Sequence, residues 1–275
     1  RNIELNFKAF DQPGLKSLKF EINKTNFLNG YRSKPKQNYK LGFYVKSNID
    51  TQRTSLYEPG KLLAFYIGRS IDYNMLSINA EFLNSIAPYS KWNFSKLSYA
   101  INFKQTKTFS SENKFRLFSG FTHLGYRSRA FLGKIWHNGQ ELPYQVSFKV
   151  SGNQSRLMYE KSYLRGKNSF FGFDLNEIYH YPSDGNIRGF NSLNKTHINA
   201  LASVTNEIYF IRKKISDSGY FENSLMNVEF AFFADNGIFY DKIDSYLVSN
   251  IGVGLRLRTF IFNKPIYLRF DFPFY

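Results

Sequence analysis

The sequence predicts an all-β protein, and three observations carry that prediction. Apolar and polar residues alternate with a period of two along most of the chain. Aromatics are abundant: 30 Phe and 20 Tyr among 275 residues, both of which favour strands. The mean hydropathy is nonetheless negative, as expected when each strand has one apolar and one wet face.

The segments follow in order. In "NIELNFKAF", Ile3, Leu5, Phe7 and Ala9 share one face, and Asn2, Glu4, Asn6 and Lys8 share the other. "MLSINAEF" sets Leu76, Ile78, Ala80 and Phe82 against Ser77, Asn79 and Glu81. "YQVSFKVS" reads as a further strand, with Tyr144, Val146, Phe148 and Val150 opposite Gln145, Ser147, Lys149 and Ser151. "INALASVTNEIYF", "LMNVEFAFFAD" and "IGVGLRLRTF" carry the pattern over ten residues or more. Successive strand side chains point to opposite faces, so each segment has one apolar side. About fourteen such segments are separated by polar stretches such as "DQPG", "KPKQN", "FSSEN" and "PSDG". No linker or change of composition divides residues 1–275, which read as one domain.

Two architectures fit this pattern. A soluble sandwich or barrel points its apolar face inward. A transmembrane barrel points it to lipid and lines a lumen with the polar face. Strand length favours the second, because soluble strands average about five or six residues and a bilayer needs about nine to eleven.

The net charge is +16, from 37 Lys and Arg against 21 Asp and Glu, which suits an anionic partner such as lipid head groups or lipopolysaccharide. The aromatics keep to the apolar face instead of interleaving with basic residues, which argues against nucleic acid. There is no cysteine, hence no disulfide and no thiolate metal site. His123, His137, His180 and His197 show no metal-ligand spacing, and no G-x-S-x-G elbow or phosphate loop occurs. No metal, cofactor or catalytic residue is expected. The chain opens at Arg1 without a signal sequence and reads as a processed or excised piece of something longer.

Three motifs point further. "IRGF" comprises Ile187, Arg188, Gly189 and Phe190. "FADNG" follows with Phe233, Asp235 and Gly237, and "GVGLRLRTFIFNKPIYLRFDFPF" closes the series. In this order they resemble the C-terminal part of the BamA, TamA and FhaC superfamily of outer-membrane barrels, the bacterial surface antigen domains. The first 180 residues add only strand period. The resemblance implies an antiparallel transmembrane β-barrel of about 14–16 strands in the bacterial outer membrane. It also implies a long extracellular loop folded into the lumen, carrying the arginine of "IRGF" at its tip. The family's strand after the segment matched by "IYLRFDFPFY" has no counterpart before Tyr275.

Strand parity places Glu229, Phe233, Asp235, Gly252, Gly254, Arg256 and Arg258 on the lumen side. A loop arginine entering there meets a carboxylate, and Arg188 is expected to clasp the wall near Asp235 and Phe233. Gly189 allows the tight tip, and Gly252 and Gly254 leave room for the loop. The resemblance implies insertion or translocation of polypeptides, with protein partners or polypeptide clients. An anchor for a fused or partner enzyme or surface domain, and a passive anion-favouring porin, are the alternatives.

Overall fold

Among the described residues, eleven strands form one antiparallel sheet in the computed structural model of the chain. They are β1 (Asn2–Gln12), β2 (Leu15–Phe27), β3 (Lys36–Asn48), β4 (Gly60–Tyr73), β5 (Leu76–Ser85), β6 (Phe94–Thr108), β7 (His123–His137), β8 (Ala200–Lys214), β9 (Met226–Tyr240), β10 (Ser245–Ile261) and β11 (Lys264–Phe274). The structure describes residues 2–12, 15–27, 36–48, 60–73, 75–86, 89–108, 121, 123–139, 142, 146–148, 150, 184–185, 187–188, 197–214, 226–241, 244–261 and 264–274. Each strand pairs with the next in sequence, and no ladder joins β11 to β1 among the described residues. Eleven strands stand against the expected 14–16, again among the described residues.

The strands run from 10 to 17 residues, long enough for a bilayer by the length argument above. The period-two pattern sorts them onto two faces. Ile3, Leu5 and Phe7 of β1, Val204 and Ile208 of β8, Phe230 and Phe232 of β9 and Ile251 of β10 are all exposed. Between them, Ser203, Thr205, Glu207, Ala231, Phe233, Asp235, Gly252 and Arg256 are buried. The exposed face of β8, β9 and β10 is therefore largely apolar and their covered face mixes charged, polar and apolar side chains, whereas a soluble sheet with one wet face turns its polar side outward.

The expected strand at 144–151 is not formed by its described residues. Its described residues, 146–148 and 150, lie outside the sheet, and the apolar and polar ones alike are buried. Val146, Phe148 and Val150 pack with Leu142 against Leu62 and Ala64 of β4, Phe94 of β6, Phe131 and Ile135 of β7, Leu201 of β8 and Phe239 of β9. Alternation there marks a segment surrounded on all sides, not one with a free face. The Phe148 amide donates to the Ile198 carbonyl at 3.2 Å, and the buried Lys96 donates to the Val146 carbonyl at 2.8 Å. Lys96 also lies 4.2 Å from the centre of the Phe148 ring. In the polar "PSDG" stretch, Asp184 and Gly185 are buried.

A candidate loop clasp on the covered face

The clasp is built where the long connection between β7 and β8 returns to the sheet. The Ile187 amide donates to the Val150 carbonyl at 3.0 Å, which brings the outgoing and returning limbs together. Ser203 of β8 donates to the Gly185 carbonyl at 2.7 Å, and Arg129 of β7 donates to the Asp184 carbonyl at 2.6 Å. These bonds satisfy backbone groups that burial would otherwise leave without partners. They also fix where the next side chain points.

That side chain is Arg188, 5% exposed, and it meets Asp235 of β9, 0% exposed. Nε donates to Asp235 Oδ2 at 2.7 Å and Nη2 to Oδ1 at 2.6 Å, a bidentate fork. The Arg188 amide adds a bond to Oδ2 at 3.0 Å, and Asn250 of β10 donates to the Arg188 carbonyl at 2.5 Å. Asn250 is the cross-strand partner of Asp235, so one register position holds both backbone groups of Arg188. The guanidinium stacks 3.7 Å from the centre of the Phe233 ring.

Beneath it lies a second tier. Glu207 of β8 accepts from Arg188 Nη1 at 2.7 Å, from Arg127 of β7 at 2.9 Å and from both terminal nitrogens of Arg256 of β10. Glu229 of β9 accepts two bonds from Arg127, each at 2.9 Å, and one from Arg256. Arg127 stacks 3.9 Å from the centre of Tyr209, whose hydroxyl shares a 2.5 Å bond with Thr106. Arg127, Arg188 and Arg256 thus face Glu207, Glu229 and Asp235, and the formal charges cancel. Without Arg188, Glu207 would still have two arginines, Arg127 and Arg256. Asp235 keeps none of these three, because Arg188 alone among them reaches it.

Comparison with known proteins adds no assignment: no protein-family model matches the chain, and no curated protein matches it.

The expected residues fall as follows. Ile187, Arg188, Phe233, Asp235 and Gly237 come together, with Ile187 fully buried. A side chain on Gly237 would strike Ile187, and one on Gly252 would strike the Phe272 carbonyl and the Phe233 ring. Both glycines therefore serve close approach. Glu229, Gly254 and Arg256 lie on the covered face. Gly189 and Phe190 lie outside the described residues, as does the side chain of Arg258. The sequence reading did not single out Arg127, Arg129, Ser203, Glu207 or Asn250. Parity in "LASVTNEIYF" puts Ser203 and Glu207 on the polar side, but parity does not say which arginine arrives opposite.

Proposed function

We propose that this chain is a transmembrane barrel of the bacterial outer membrane that inserts or translocates polypeptides, with the β7–β8 connection folded into its lumen. The observation that carries the reading is the fork between Arg188 and Asp235, which joins the "IRGF" and "FADNG" motifs at bonding distance. A loop held by directional ion pairs from Arg188 to Asp235 and Glu207 can adopt a bound and a released state. Insertion needs such a wall element and no bond chemistry. The porin reading drew on a basic lumen, but the arginines of the clasp are matched one for one by carboxylates. The side facing lipid is the apolar exposed face.

The two tryptophans test the membrane part, because Trp92 is buried with the apolar cluster and Trp136 is 50% exposed on the other face. In vesicles made with brominated phosphatidylcholine, Trp136 is expected to be quenched and Trp92 spared, each read in a variant with the other changed to Phe. Quenching of Trp92 alone reverses the orientation and ends the reading. The insertion part is tested with a urea-denatured eight-stranded outer-membrane barrel as probe. The reconstituted protein is expected to speed its folding into vesicles, and Arg188→Ala to lose most of that gain. No acceleration by the unaltered protein overturns the insertion reading.

A further inference from the structure

The exposed face sorts its charges by sign. Among the described strand side chains, its charged residues are Lys24, Arg69, Lys107, Lys134 and Arg212, all basic. The acids Glu4, Asp72, Glu81, Glu207, Glu229, Asp235 and Asp271 all lie on the opposite face. Since the clasp is neutral, it does not hold the excess of positive charge. Lys24, Arg69, Lys107 and Arg212 stand near the strand ends farthest from the clasp's connection.

Two of these cations stand in one register row. Lys24 of β2 is opposite Tyr39 of β3, and Tyr39 is opposite Arg69 of β4. The two cations are therefore two strand spacings apart, roughly 10 Å, with a tyrosine between them. The Arg69 guanidinium lies 5.3 Å from the centre of the Tyr39 ring. Across β1 to β6, the next positions of that face toward the middle of the sheet are Leu5, Ile22, Leu41, Ile67, Phe82 and Leu97, all apolar, and Lys134 of β7 follows them. Ala80 borders Arg69 and leaves space beside it.

We propose that Lys24, Tyr39 and Arg69 form a binding site for the phosphate of an anionic phospholipid. The inference rests on the membrane reading above. Two cations with a hydroxyl between them suit a phosphodiester, and the apolar row beneath suits its acyl chains. A free phosphate ion has no use for that row. Long basic side chains reach from an apolar surface to head groups in this way, with their stems kept against the hydrocarbon.

The chain has no cysteine, so Ala80→Cys introduces a unique labelling point beside the site. A fluorophore there is read in phosphatidylcholine vesicles containing spin-labelled phosphatidylglycerol or, in parallel, spin-labelled phosphatidylcholine. The expected result is enrichment of phosphatidylglycerol over phosphatidylcholine of about fivefold or more, near the contribution of one basic residue at an anionic surface. Lys24→Gln with Arg69→Gln should abolish it, Lys134→Gln near the opposite strand ends should retain it, and added inorganic phosphate should not compete. Equal quenching by the two lipids, or enrichment that survives the double change, overturns the site while leaving the membrane reading intact. No quenching by either lipid overturns the membrane reading itself.

Discussion

Ile187 and Arg188 are consecutive, and both are buried, yet they enter opposite surroundings. Ile187 joins an apolar cluster with Val150, Phe148 and Leu201. Arg188 joins a layer of paired charges with Asp235 and Glu207. The same strands line both layers, since β7 contributes Phe131 and Ile135 to one and Arg127 to the other. The two layers hold the connection by different physics. Apolar packing is non-directional and roughly proportional to area, so it tolerates small shifts and degrades gradually. A desolvated ion pair is directional, and losing one partner leaves the other charge buried alone. The apolar layer keeps the connection in place, and the charged layer decides its position.

The largest contrast should come from Arg188→Ala, which leaves the buried Asp235 with none of the three arginines, at a cost of roughly 3–5 kcal/mol. Asp235→Ala should cost less, since Arg188 keeps Glu207, and the double variant little more than Arg188→Ala, because both changes remove the shared pair. Guanidinium unfolding in detergent micelles, followed by Trp92 fluorescence, measures all three. Additive effects would show that the two residues act separately.

Phe148→Ala probes the apolar layer by the same measurement, with an expected loss of about 3 kcal/mol from the cavity left behind. In a cycle with Asp235→Ala its effect should be nearly additive, since the two side chains share no partner. Strong coupling would mean that the layers act as one unit and would end the comparison.

Gly252→Ala sharpens it at lower cost. A methyl group there meets the Phe272 carbonyl and the Phe233 ring, on which Arg188 stacks. The expected loss is about 1–3 kcal/mol, and Asp235→Ala should mask part of it. An unchanged unfolding midpoint would show that Phe233 moves aside without disturbing the clasp.

Much of this was legible in advance. In β8, β9 and β10 the alternation of apolar and polar residues marked both the strands and their faces, because successive strand side chains point to opposite sides. "NIRGF" and "FADNG" could be read as a pair by resemblance. The segment around Phe148 misled, because it has the same alternation but is enclosed on both sides. Glu207 shows another limit: its face followed from parity, but its three arginines come from β7, β10 and the connection, which are distant in sequence.

The sequence by itself determined the β period and the apolar side of each long strand, since both depend on neighbours one or two positions away. Only the tertiary structure decided that Arg188 forks onto Asp235, that Glu207 is shared, and that residues 146–148 and 150 are buried against the sheet. Such contacts depend on register between strands and on where a long connection re-enters, and a strand's own alternation carries no information about either.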